Sequence, residues 1–113
     1  MSNVRPFHAR STPVKLEDAI FLVSQLPEGS TVCAKEPFVR GAEAVITQLT
    51  PDFAVPTEVL AAGFNYFLEG RGIEELLEMI EPKAVSRETM AEFVIHYATL
   101  DAYPAWFQDL PNK

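Results

Sequence analysis

The sequence predicts an α+β domain: a short, mostly antiparallel three-stranded sheet packed by about three helices. Three observations carry that expectation. Apolar residues recur at the 3.6-residue period over 16–26, 73–80 and 90–100. Two runs rich in β-branched residues, "STVCAK" (30–35) and "EAVITQLT" (43–50), read as strands. The linker "EPFVRGA" between them is short enough for an antiparallel connection. With 113 residues, 48% of them apolar and 22% charged, the chain is one ordinary globular domain with a core of its own.

Residues 1–14 contain Pro6 and Pro13 and no apolar period, and read as a flexible arm before a single domain over 15–110. "KLEDAIFLVSQL" then places Leu16, Ala19, Ile20, Val23 and Leu26 on one helical stripe. Glu17 and Asp18 sit in its first turn, where the helix dipole favours acids, and Pro27 and Gly29 stop it. After the two strands, "PDFAVP" interrupts the chain. Residues 57–69, "TEVLAAGFNYFLE", fit both a helix and a turn plus strand. Aromatic density and the bracketing Gly63 and Gly70 favour a third strand near 64–69. "EGRG" (69–72) reads as a strand-to-helix turn, since Glu74 and Glu75 oppose an anion there and no P-loop lysine follows. The next helix aligns Ile73, Leu76, Leu77 and Ile80, with Pro82 beyond its end. The last starts at Ser86, a good N-cap, with Val85 and Met90 spaced as a hydrophobic staple. Met90, Phe93, Val94, Tyr97 and Leu100 form its expected buried stripe.

Charge narrows the function classes. The net charge of −7 opposes nucleic acid, whose phosphates it would repel. The first 14 residues hold two arginines and no acid, while the remainder holds seven basic against sixteen acidic residues. Such an acidic body favours a basic partner. A single cysteine, Cys33, precludes an intramolecular disulfide and fits a reducing compartment. With no apolar run long enough for a signal or a span, the expected location is the cytoplasm, with no membrane partner.

No nucleophile–base set and no metal-ligand cluster can be assembled, so no catalytic residue, metal or cofactor is expected. Cys33 lacks an activating neighbour in sequence, His8 lies in the arm, and Glu92–His96 reads as a helix-surface pair. Binding residues are easier to nominate. Glu74, Glu78 and Glu81 share the polar side of a helix whose predicted span contains no lysine or arginine, an arrangement that would steer a basic partner. Tyr103, Trp106 and Phe107 follow the last helix. Tyr103 and Trp106 are expected to fold back near Tyr97, with Trp106 also a candidate anchor for a partner, and the ordered chain is expected to end near Leu110.

"VKLEDAIFLVSQLPEGSTVCAKEPF", "YFLEG" and "YATLDAYPAWF" stand in an order that resembles a family of small uncharacterised bacterial domains over about residues 15–107. The resemblance implies a strand at "YFLE" running into a helix. The position of Lys15 is commonly a capping Ser or Thr there, so this chain lacks that cap. The likeness in style is to immunity and inhibitor proteins of bacterial competition systems, and it brings no catalytic residues. A non-enzymatic protein-binding domain is therefore expected, an immunity or inhibitor protein acting on a basic toxin or effector. The alternative is a self-associating regulatory or accessory domain without a toxin partner, a homodimer being one form of it.

Overall fold

The computed structural model describes residues 12–113. Among these residues four strands form one sheet: β1 (Val14–Lys15), β2 (Ser30–Ala34), β3 (Glu43–Gln48) and β4 (Asn65–Glu69). Among the described residues four helices accompany them: α1 (Leu16–Leu22), extended by a 3-10 turn over Val23–Gln25, then α2 (Thr57–Ala61), α3 (Gly70–Ile80) and α4 (Arg87–Leu100). A second 3-10 turn, Ala105–Asp109, lies in the tail. The strand order is β1-β3-β2-β4, and every neighbouring pair is antiparallel. The α+β class is as expected, with four strands in place of three and four helices in place of about three.

The additions are the elements too short to show a period. β1 has two residues, Val14 opposite Ala44 and Lys15 opposite Glu43, so its first residue falls inside the segment read as an arm. The arm's residues 1–11, His8 among them, lie outside the described residues. β1 runs directly into α1, whose start has no side-chain cap. The first N–H groups of that helix are satisfied by backbone instead: Leu16 donates to Ala42 (2.8 Å) and Glu17 to Arg40 (3.0 Å). Residues 57–69 hold both of the alternatives. α2 makes one turn, Gly63 reverses the chain at φ +96, and β4 follows.

Alternation along the central strands decides which residues meet. Val32 and Ala34 of β2, with Ala44 of β3, join the main core beneath α1, α3 and α4. Cys33 and Val45 point to the other face, where they meet Val59 of α2 and Phe64. All five residues of β2 are therefore buried. The main core also takes Leu16, Ile20, Ile73, Ile80 and Phe93, each completely buried.

α3 begins at Gly70 without an intervening turn, so Gly70, Arg71 and Gly72 of "EGRG" are its first helical residues and Glu69 ends β4. Gly70 is where the helix touches the body. A Cβ there would stand 2.7 Å from Val23 Cγ2 and 3.0 Å from the Ser30 carbonyl oxygen. Gly70→Ala is therefore expected to lower stability by about 1–3 kcal/mol, although alanine is the better helix former. Urea unfolding measures it, and an unchanged or raised midpoint would contradict the close approach.

α4 starts as the sequence indicates, with Ser86 Oγ accepting the Thr89 N–H at 3.1 Å. Its buried side differs from the expected stripe. Ala91, Phe93, Val94 and Ile95 are buried, Met90 and Tyr97 are half-buried, and Leu100 is 62% exposed. Asp101 closes the helix in the left-handed region (φ 55), directly after Leu100. Beyond Leu110 the tail continues to pair. Ala84 N–H donates to Pro111 (2.8 Å) and Lys113 N–H to Pro82 (2.9 Å).

Candidate functional site

Phe93 organises the tail. Its ring lies 4.8 Å from Phe107, 6.0 Å from Tyr103 in near-parallel stacking, and 6.3 Å from Trp106 edge-on. Tyr103 also meets Tyr97 at 5.3 Å, and Lys83 Nζ stands over the Phe107 ring at 5.4 Å. The rings do fold back beside the last helix. Phe107 is the most enclosed of the three, while Tyr103 stays 51% and Trp106 36% exposed. Those two have one side on the core and the other in water.

Trp106 forms one wall of an open groove of about 520 Å³ along α4. Ile95 and Leu100 supply its apolar lining, and Thr89, Glu92, His96 and Thr99 its polar groups. The Glu92–His96 pair expected from spacing is not made. Glu92 Oε2 accepts from Arg40 Nε at 3.1 Å, and His96 Nδ1 donates to the Ala102 carbonyl at 2.9 Å. A carbonyl oxygen only accepts, so Nδ1 carries a proton, and in the neutral ring Nε2 is the acceptor.

Arg40 belongs to a chain of charges that sequence reading missed, because its members are far apart in number. Arg40 also approaches Glu17 (3.6 Å), and Arg87 bonds Glu17 (3.2 Å) and Asp18 (3.4 Å) while covering the Phe21 ring at 4.3 Å. The network of Glu92, Arg40, Glu17, Arg87 and Asp18 holds three carboxylates and two guanidiniums and keeps one negative charge in excess.

The four nominated binding residues do not converge. Glu81 is held by Lys113 Nζ at 3.1 Å, and Glu75 is approached by Arg71 at 3.9 Å. Glu74 and Glu78 have no cationic partner among the described residues, and Glu74 lines a separate pocket of about 240 Å³ with Arg71, Val23 and Ser30. Glu74 and Glu81 stand roughly 10 Å apart along α3. Trp106 lines the α4 groove, and none of the three glutamates does.

Cys33 is completely buried, and burial pushes its thiol up to about 11. It is thus a packing residue in its protonated form. Native protein is expected to resist an aromatic disulfide reagent near pH 8 and to react fully once unfolded in urea; rapid native labelling would refute this burial. The raised thiol has a sign for stability as well. Its contribution is fully present below the ordinary value of 9.0 and is lost as pH rises through about 11. Among the described residues no three His, Cys, Asp or Glu side chains stand together as a metal site, and no helix is long and apolar enough to cross a membrane.

One exposed aromatic gave no periodic signal. Phe53 is 82% exposed at φ 64 in the loop before α2, pinned by Thr50, whose N–H donates to Ala54 (2.8 Å) and whose carbonyl accepts from Phe53 (2.8 Å). Comparison with protein-family models, curated proteins and solved structures gave no match.

Proposed function

We propose that the chain is a non-enzymatic protein-binding domain with a basic partner, an immunity or inhibitor protein that neutralises a toxin or effector. The observation that carries this reading is the uncompensated acidic side of α3. Glu74 and Glu78 are like-charged neighbours one turn apart, with no cation paired to either among the described residues. Such a pair costs a few tenths of a kcal/mol in an isolated helix. It also raises the encounter rate of a basic surface. Glu81 is given a smaller part than the sequence assigns it, because Lys113 already offsets its charge.

The test is kinetic. With a basic partner recovered from the source cells, Glu74→Gln/Glu78→Gln should slow association several-fold at low salt and flatten its salt dependence, while stability holds or rises slightly. Glu81→Gln should do less. An unchanged association rate in the double variant would remove α3 from the interface. The second reading, a self-associating accessory domain, draws on the exposure of Leu100 and Tyr103. Sedimentation of the purified chain separates the two, since a concentration-dependent dimer supports the second.

A further inference from the structure

We infer that the α4 groove receives an arginine side chain of the partner, its guanidinium between Glu92 and His96 and its stem along Ile95, Leu100 and Trp106. This deepens the reading of a basic protein partner and rests on it. Two of the groove's polar side chains, Glu92 and His96, offer acceptors to a donor. His96 Nδ1 is committed to Ala102, which leaves Nε2 as a lone-pair acceptor. Glu92 gives one oxygen to Arg40, and its other oxygen, Oε1, has no partner among the described residues. These two side chains are four residues apart on α4, so they occupy the same face of the helix.

The surrounding charge is of the matching sign. Arg40 would repel an incoming cation if it stood alone, but Glu17 and Glu92 both hold it. The network to which it belongs retains one negative charge, and Glu88, one turn before Glu92, is a further exposed acid without a cationic partner among the described residues. The apolar walls then select the shape of the cation. An ammonium is a compact, strongly hydrated point charge, whereas a guanidinium is flat, stacks on an aromatic face and donates in two directions at once. Trp106 supplies a ring that is 36% exposed at the groove, and Glu92 and His96 supply two acceptors. Ile95 and Leu100 would cover the methylene stem.

Trp106 is the chain's single tryptophan, so its emission and its indole N–H resonance report on this groove. The probe is the peptide acetyl-Leu-Arg-Leu-amide, titrated into the full chain at low salt. Its companions carry citrulline, which keeps the shape and loses the charge, or lysine. The arginine peptide should give a saturable change, with the citrulline peptide about tenfold weaker and the lysine peptide several-fold weaker. Glu92→Gln should weaken the arginine peptide about five- to tenfold and leave the citrulline peptide nearly unaffected. Equal binding of the citrulline or lysine peptide, no saturable response below about 10 mM, or unchanged affinity in Glu92→Gln would overturn the assignment. Should that variant fail to fold, the citrulline comparison on the unaltered chain decides. A groove that binds no arginine, while Glu74→Gln/Glu78→Gln still slows association with the partner, would sink this inference and leave the protein-binding reading in place.

Discussion

Phe93→Ala is expected to lower stability by about 3–5 kcal/mol, the largest loss from any single substitution in the domain. Phe93 is the largest of the completely buried side chains, and three tail rings close over it. Truncating it removes the surface on which Tyr103, Trp106 and Phe107 meet, so the cost includes contacts the tail can no longer make. In a domain of this size the loss corresponds to a fall in melting temperature of about 12–20 °C. Phe93→Leu fills most of the space and should cost less, about 1–2 kcal/mol. Thermal unfolding followed by far-ultraviolet circular dichroism measures both. A loss below about 1.5 kcal/mol for the alanine variant would show that the tail collapses into the vacated volume.

The sequence made the long helices legible because each has a period and a boundary signal. α3 shows Ile73, Leu76 and Ile80 at helical spacing, and α4 adds a capping serine that does accept the Thr89 N–H. β2 and β3 were legible from their β-branched residues, and β4 from its aromatic density. What escaped has a common physical cause. β1 and α2 are too short for a period, and each depends on partners elsewhere: β1 on β3, and α2 on the sheet face bearing Cys33 and Val45. The start of α3 departs from the expected turn: Gly70 and Gly72 favour a turn by propensity, whereas the helix begins at Gly70, whose missing side chain lets it approach Val23 and Ser30.

The nominated site was legible residue by residue and not as an arrangement. Four glutamates can be counted on a helix from spacing alone. That Lys113 returns to neutralise Glu81 depends on the tail reaching back to Pro82 and Ala84, which no local pattern encodes. The α4 groove was hidden for a similar reason. Glu92 and His96 are correctly spaced for each other, yet each finds a better partner, in Arg40 fifty-two residues earlier and in the Ala102 carbonyl just beyond the helix.

Removal of residues 103–113 is expected to destabilise the domain more than any single ring does, by about 5 kcal/mol against the 5–15 kcal/mol typical of a whole domain. The truncation uncovers Phe93, removes the buried Pro104, and leaves the Ala84 N–H without the Pro111 carbonyl. It spares Ala102, so the contact that fixes His96 is retained. The single substitutions should rank by enclosure. Phe107→Ala, whose ring lies closest to Phe93 and beneath Lys83, should cost about 2–3 kcal/mol. Trp106→Ala should cost about 1–2 kcal/mol, below the value for a fully buried tryptophan, because 36% of the residue is already in water. Ordering a tail with so few backbone hydrogen bonds is unfavourable in entropy, and the rings offset that only if they act together. Urea unfolding of the truncated chain and the two variants tests the ranking. A truncated chain that kept its midpoint would mean that the rings add nothing to the fold, and Tyr103, Trp106 and Phe107 would then have to be explained wholly by what they bind.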